Sequence, residues 1–118
     1  MLIADDEEDI LELVSLQLRR LGCELVLARD GEEALAIALE RRPAVAVIDV
    51  SMPKLDGLEL VRRLRGDERT RELPVILLSA RAQDADVARG LEAGATDYVA
   101  KPFRGRDLRE RVAALLAY

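Results

Sequence analysis

The sequence predicts an α/β fold in which five βα units form a parallel sheet between two layers of helices. Five short apolar runs alternate along the 118 residues with five longer segments whose apolar residues recur every three or four positions. The third and fourth runs are almost entirely valine, isoleucine, leucine and alanine, as parallel strands covered on both faces require. Strict alternation, short connections and right-handed crossovers then favour a three-layer sandwich. This periodicity does not determine the order of the strands.

The predicted strands are the short apolar runs Leu2–Ala4, Leu25–Ala28, Ala44–Val50, Pro74–Leu78 and Tyr98–Ala100. The helices between them are predicted from apolar stripes with helical spacing. In chain order, these stripes are Leu11, Val14, Leu18 and Leu21; Ala34, Leu35, Ile37, Ala38 and Leu39; Leu58, Leu60, Val61 and Leu64; Val87, Leu91 and Ala93; and Leu108, Val112, Leu115 and Leu116. The first four helices are predicted to end near Gly22, Pro43, Gly66 and Gly94, because glycine suits the turn after a helix and proline cannot continue one.

The length of the chain suits one ordinary domain and is too short for two. Since no linker or repeat divides it, we expect a single domain over residues 1–118. The first strand has only a few residues before its polar end, which suggests a domain trimmed from a longer protein. No apolar run exceeds seven residues, far short of the roughly 18 that span a membrane. We therefore expect no membrane segment, no secretory leader and a cytoplasmic location.

The composition excludes several classes of function. With no histidine and a single cysteine, Cys23, the chain cannot form a classical zinc finger, a histidine-based triad or an internal disulfide. A net charge of −5 lacks the basic footprint of a nucleic-acid-binding module, so we expect no direct contact with nucleic acid. Lysine is rare among the 18 basic residues, which makes Lys54 and Lys101 notable.

Polar residues stand at the carboxyl ends of four predicted strands. Asp5 and Asp6 follow the first strand, Asp49 lies at the end of the third, and Ser79 and Lys101 follow the fourth and fifth. In open α/β sheets, ligands bind in the crevice outside these strand ends. The sequence therefore predicts that these five polar groups meet at one edge of the sheet.

The three carboxylates imply a bound cation. Two unit charges about 4 Å apart repel by roughly 4 kcal/mol at an effective dielectric near 20, so three grouped anions need a counter-charge. Oxygen ligands without histidine or thiolate suit Mg²⁺, Mn²⁺ or Ca²⁺. Mg²⁺ fits an open site best, since it keeps waters and binds substrate phosphate. Lys101 would then neutralise a phosphoryl oxygen at the mouth of the site.

Each of these residues also has a purely structural interpretation. The acids from Asp5 to Asp9 could be a helix start stabilised by the helix dipole, which accounts well for Glu7, Glu8 and Asp9 but not for Asp49. Asp49 could cap the following turn, Ser79 could be a strand-end hydroxyl, and Lys101 could be a solvated surface lysine. Asp56 is interpreted as the N-cap of the third helix rather than as a catalytic residue.

Taken together, the motifs resemble the receiver domain of two-component response regulators. They are Ala4-Asp5-Asp6-Glu7, Ile48-Asp49-Val50-Ser51-Met52-Pro53, Asp56-Gly57, Leu78-Ser79-Ala80, Gly94-Ala95 with Asp97-Tyr98, and Lys101-Pro102-Phe103. They follow one another in the expected order over essentially the whole chain. The resemblance implies a flavodoxin-like sheet with strand order 2-1-3-4-5.

The resemblance also implies the roles of the site residues. Asp49 would accept a phosphoryl group from a histidine on a sensor kinase or phosphotransfer protein. Asp6 and Asp49 would ligate Mg²⁺ directly, Asp5 through a water, and Ser51 through its backbone carbonyl. Ser79 and Lys101 would bind the phosphoryl oxygens. The domain would promote its own phosphorylation and dephosphorylation, and so act as a signalling domain rather than an enzyme of multiple turnover.

By the same resemblance, Ser79 and Tyr98 form the switch that remodels the surface of helix 4, strand 5 and helix 5 and so controls an output domain or target. The structural alternative for Tyr98 is half-buried packing. Asp97, Asp107 and Arg111 match positions that pair across dimers of DNA-binding regulators, but Val87 replaces the expected basic residue on helix 4. This argues against dimerisation through that face. The loop at residues 65–73 is more similar to receivers of cyclases, hybrid kinases or chemotaxis proteins.

Three other functions fit the sequence less well. A haloacid dehalogenase-type phosphatase needs an acid two residues beyond its nucleophile, where this chain has Ser51. A flavin or nucleotide module needs a glycine-rich phosphate loop after the first strand, which is missing. A degenerate receiver that only binds proteins is disfavoured by the intact acids, Ser79 and Lys101.

Overall fold

The computed structural model describes residues 1–80 and 84–116 and shows five strands alternating with five helices. The strands are β1 (Leu2–Ala4), β2 (Val26–Ala28), β3 (Ala46–Asp49), β4 (Val75–Ser79) and β5 (Asp97–Ala100). The helices are α1 (Glu8–Arg19), α2 (Gly31–Arg41), α3 (Gly57–Arg65), α4 (Asp84–Ala93) and α5 (Gly105–Leu116). The predicted alternation is confirmed, with strand boundaries that differ by at most two residues.

All strand pairs are parallel, and their order is β2-β1-β3-β4-β5, which confirms the flavodoxin-like topology. The order reverses between β1 and β3, the point at which open α/β sheets bind ligands at their carboxyl edge. In the register of the sheet, Asp49 lies opposite Leu78, and Ser79 lies opposite Ala100. The strand ends that carry the predicted site therefore align at one edge.

Each face of the sheet is covered by its own hydrophobic layer. Because side chains alternate along a strand, Leu2 and Ala4 face one layer and Ile3 faces the other. The first layer includes buried residues of α2 and α3, and the second includes buried residues of α1 and α5. In the part of the chain that the structure describes, no helix has the length and apolar character needed to cross a bilayer.

The helices start as their first residues predict. Asp56 caps α3 by accepting the N–H of Glu59 at 2.9 Å, which confirms its predicted role. Asp30 caps α2 in the same way. Helix α1 lacks a side-chain cap on Glu7, but Asp5 accepts the N–H of that residue at 3.0 Å. The exposed acids at the start of α1 agree with the predicted solvated helix start.

One helix end differs from the prediction. Helix α1 ends at Arg19, three residues before Gly22. The N–H groups of Leu21 and Gly22 donate to the carbonyls of Leu18 and Arg19, so a tighter turn completes the helix before the chain reverses. Gly22 then adopts a left-handed conformation at φ 76°.

Candidate functional site

Three carboxylates meet at the carboxyl edge of β1 and β3. Asp5 and Asp6 follow β1, and Asp49 is the last residue of the neighbouring β3. One oxygen from each carboxylate lies within 4.8 Å of an oxygen from the other two. Asp5 and Asp49 are buried, whereas Asp6 is exposed. The acids that the sequence placed on separate strands therefore form one cluster that opens to solvent.

Lys101 joins two of these acids. Its Nζ lies 3.0 Å from Asp49 Oδ1 and 3.1 Å from Asp5 Oδ2. Its side chain is only 15% exposed, which rules out the surface-lysine interpretation. The backbone N–H of Lys101 also donates to the carbonyl of Ser79 at 2.7 Å, and the peptide bond to Pro102 is cis. Lys101 is thus held at the end of β5 with its ammonium in the cluster.

Burial and charge act on both partners of this ion pair. Burial raises the pKa of Asp49, and the charges of Asp5 and Asp6 add to this, while the Lys101 ammonium opposes it. Burial alone would lower the pKa of Lys101, but its hydrogen bonds and charge interactions with Asp49 and Asp5 outweigh burial and raise it. Three carboxylates and one ammonium leave two negative charges uncompensated when all the acids are ionised.

This donor set fits a hard divalent cation. The cluster presents carboxylate oxygens, and the chain has no histidine to compete as a ligand. Its excess charge matches a divalent ion, and the exposed Asp6 leaves room for water and substrate oxygens. Ser51, the remaining predicted ligand, lies two residues beyond Asp49 in the turn between β3 and α3.

Ser79 and Tyr98 border one small cavity beside the acidic cluster. Ser79 is buried at the end of β4, and Tyr98 is half-buried on β5. The cavity has a volume of about 60 Å³, and its wall also includes residues of α3 and α4: Leu58, Asp86 and Arg89, with Val50. The two predicted switch residues therefore line the same small cavity.

Gly90 of α4 is a functional candidate that the sequence analysis missed. A Cβ at this position would lie 2.8 Å from Tyr98 Cδ2 and 3.2 Å from Leu77 Cδ1. The missing side chain makes room for the tyrosine ring. Glycine inside a helix costs about 1 kcal/mol relative to alanine, so its occurrence in the fourth helix was a usable signal.

The face formed by α4, β5 and α5 carries an ion pair within the chain. Arg111 Nη1 lies 2.9 Å from Asp97 Oδ1 and 3.0 Å from Asp97 Oδ2. A groove of about 460 Å³ runs beside this pair, and Val87, Phe103 and the exposed Asp107 are among its lining residues. Two of the residues expected to pair across a dimer thus pair inside one chain.

Comparison with known proteins agrees with this fold. The family model described as response regulator receiver domain matches residues 1–113. AfsQ1, a transcriptional regulatory protein of Streptomyces coelicolor, is 45% identical over 98% of this chain and 50% of its own length. The alkaline phosphatase synthesis transcriptional regulatory protein PhoP of Bacillus subtilis is 42% identical over 98% of this chain and 48% of its own length. The chain thus spans about half the length of these curated relatives. Both relatives are transcriptional regulators, whereas the loop at residues 65–73 resembles that of receivers in cyclases, hybrid kinases or chemotaxis proteins.

Solved structures match over nearly their whole length. The receiver domain of a Francisella response regulator is 37% identical, with a TM-score of 0.90 over 97% of this chain and 93% of that one. The receiver domain of a sensor histidine kinase from Pseudomonas aeruginosa, solved with a magnesium ion in its active-site cleft, is 32% identical, with a TM-score of 0.90 over 99% of this chain and 96% of that one. With its acidic cluster, its strand order and these matches, the chain belongs to the response regulator receiver domain family.

Proposed function

We propose that this receiver domain accepts a phosphoryl group on Asp49 from a phosphohistidine of a sensor kinase or phosphotransfer protein. The observation that carries the proposal is the contact of Lys101 with both Asp49 and Asp5 inside a buried acidic cluster. Such a cluster is costly unless its charge serves a bound group. We expect the reaction to take place in the cytoplasm, where the kinase has access to ATP.

We propose Mg²⁺ as the cation of the site. Asp6 and Asp49 would bind it directly, Asp5 through a water, and Ser51 through its backbone carbonyl. The oxygen donors, the two uncompensated charges and the magnesium ion in the Pseudomonas aeruginosa receiver support this choice. When bound, Mg²⁺ neutralises charge on the phosphoryl oxygens during transfer.

Asp49 performs the covalent step. One of its carboxylate oxygens attacks phosphorus, the bond between phosphorus and the donor imidazole breaks, and its electron pair stays on the imidazole nitrogen. Phosphoryl transfer depends on positioning and charge neutralisation, which Lys101 and the Ser79 hydroxyl supply at the equatorial oxygens. Water later attacks phosphorus and releases inorganic phosphate, which restores the Asp49 carboxylate. The domain therefore promotes its own phosphorylation and dephosphorylation.

We propose that phosphorylation moves Ser79 and Tyr98 together. A hydroxyl drawn towards the phosphoryl group leaves space in the cavity of about 60 Å³ that both residues line. The Tyr98 ring can then turn inward, which changes the surface formed by α4, β5 and α5. The phosphoryl group supplies the differential contact that a two-state switch requires.

The partner of this surface is proposed to be an output domain or target protein. The curated relatives are transcriptional regulators about twice as long as this chain, which supports a receiver within a longer regulator. The net charge of −5 on this chain supports an indirect role in DNA binding, in which another domain of the regulator contacts the DNA. The internal Asp97–Arg111 pair and the absence of a basic residue at Val87 speak against dimerisation through this face.

Acetyl phosphate with Mg²⁺ tests the proposal directly. Intact-protein mass spectrometry should show a gain of one phosphoryl group that disappears slowly and that EDTA prevents. Asp49→Asn should abolish the gain, while Asp56→Asn should retain it, since Asp56 is the cap of α3. Stoichiometric labelling of the Asp49→Asn variant would contradict the assignment of the acceptor. An unlabelled wild-type domain would instead favour a receiver that only binds proteins.

A further inference from the structure

The loop between β3 and α3, residues 50–56, rests on the first turn of α2. Met52 and Leu55 are only 7% and 8% exposed and belong to the same hydrophobic layer as the buried alanines of α2. The N–H of Gly31 points to the carbonyl of Pro53 at 3.5 Å. The loop that carries Ser51 is therefore packed against α2, a helix outside the acidic cluster.

Gly31 leaves no space for a side chain at this contact. A Cβ on Gly31 would lie 1.8 Å from the carbonyl oxygen of Leu55 and 2.6 Å from its carbonyl carbon and Cβ. Backbone atoms cannot rotate away as the end of a long side chain can. Any larger residue at position 31 must push the loop and α2 apart.

Asp30 holds the same loop by charge. Its Oδ1 accepts the N–H of Glu33 at 2.8 Å, and its Oδ2 lies 3.6 Å from Lys54 Nζ. The Glu33 N–H, together with the Lys54 ammonium, lowers the pKa of Asp30. Lys54 is the loop residue with a left-handed backbone, at φ 68°. One carboxylate thus fixes both the start of α2 and the turn of the loop.

Ser51 lies between anchored neighbours. On one side, Val50 donates its N–H to Leu78 at 2.9 Å and accepts the N–H of Gly57 at 2.8 Å. On the other side, Met52 is buried. The position of the Ser51 carbonyl therefore depends on how the loop packs against the start of α2.

From this geometry we infer that Gly31 and Asp30 are positioning residues for divalent-cation binding. They hold the loop at residues 50–56 in the position that places the Ser51 carbonyl beside Asp49. This inference rests on the proposed metal site, in which Ser51 is a ligand. It assigns a role in cation affinity to α2, a helix that contributes no carboxylate to the cluster.

Calorimetric titration of the intact chain with MgCl₂ tests the inference in two matched pairs. Gly31→Ala should weaken Mg²⁺ binding by about tenfold or more, as is typical when groups that orient ligands are disturbed. Gly66→Ala is its control, because a Cβ there meets its nearest atoms at 3.6 Å. Asp30→Asn keeps a good N-cap but loses the charge facing Lys54, and it should weaken Mg²⁺ binding about two- to threefold. Asp67→Asn is its control, because Asp67 also accepts a backbone N–H and pairs with a cation, Arg69, but lies outside this loop.

The outcomes separate this inference from the proposed function. A wild-type chain that does not bind Mg²⁺ removes the metal site itself. If the wild type binds Mg²⁺ and the folded Gly31→Ala and Asp30→Asn variants bind it as their controls do, the positioning role is wrong. Unfolding in EDTA shows which variants are folded. If Gly31→Ala is not folded, the folded Asp30→Asn variant decides the question. Weaker Mg²⁺ binding than that of folded Asp67→Asn supports the inference, and equal binding contradicts it.

Discussion

The ammonium of Lys101 lies 3.0 Å from the carboxylate of Asp49, although the two residues are 52 positions apart in the sequence. Asp49 ends β3 and Lys101 directly follows β5, and these two strands lie on either side of β4, so the contact exists only when β3, β4 and β5 are in register. The ion pair therefore has two expected roles: it stabilises the folded sheet, and it takes part in the chemistry of the site.

Removing the lysine tests both roles. Lys101→Ala leaves Asp5 and Asp49 buried without their cation, so the metal-free free energy of unfolding should fall by about 1–3 kcal/mol. Phosphorylation by acetyl phosphate should slow while the fold is retained. Urea unfolding and time-resolved mass spectrometry measure the two effects. Arg106→Ala, at an exposed arginine, is the control, and unchanged phosphorylation of Lys101→Ala would return the lysine to a structural role.

Asp6 should stabilise the metal-bound domain and destabilise the metal-free one. As the exposed member of the cluster, it repels two buried carboxylates without contacting Lys101 in the described structure. Asp6→Ala should therefore raise the metal-free free energy of unfolding by about 0.2–1 kcal/mol and abolish Mg²⁺ binding. Asp9→Ala, in the first turn of α1, should bring no such gain because that acid favours the helix start. Loss of metal-free stability in Asp6→Ala would contradict the electrostatic argument.

Gly90 and Tyr98 should be energetically coupled. Alanine usually stabilises a helix relative to glycine, but at position 90 the new Cβ would overlap the Tyr98 ring. Gly90→Ala should therefore destabilise the domain alone and do so less in a Tyr98→Ala background, with a coupling energy of about 1 kcal/mol. A double-mutant cycle by urea unfolding measures the coupling. Additive effects would mean that the ring does not depend on the glycine.

The acid stability of the domain should depend in part on Asp67. Hydrogen bonds from the side chain and backbone of Arg69 lower the pKa of Asp67 from 3.8 to about 2. A lowered folded-state pKa contributes stability above the unfolded value, and that contribution disappears as the pH falls from about 4 towards 2. The wild type should therefore be more stable than Asp67→Asn near neutral pH, and the difference should shrink below about pH 4. Urea unfolding across this range measures it, and a constant difference would exclude the linkage.

The alternation of elements could be predicted because β3 and β4 are almost purely apolar and the helices between strands carry clear stripes. Strand order came from the resemblance, since the same alternation permits several orders. The end of α1 was placed one turn too late because local hydrogen bonds, and not Gly22 alone, complete that helix.

The sequence was enough to predict which residues lie at the strand ends that form the site, but not which side chains contact one another there. The positions of Asp49 and Lys101 followed from the ends of their strands, but the burial of Lys101 required the packed structure. The cis bond before Pro102 was not predictable, because most such bonds are trans. Gly31 and Gly90 are needed because of close contacts with Leu55 and Tyr98, which lie on other parts of the fold. A single sequence does not show which residues make such contacts.

Asp97 and Arg111 compensate each other's charge at the face that α5 shares with β5, and both side chains remain partly exposed. An exposed ion pair contributes only about 0–1 kcal/mol, so a binding protein could break it at small cost. A protein with a charge for only one of the two residues would leave the other without its counter-charge, whereas a protein with charges for both would not. We therefore expect this pair to contribute to the selectivity of binding at this face rather than to its affinity.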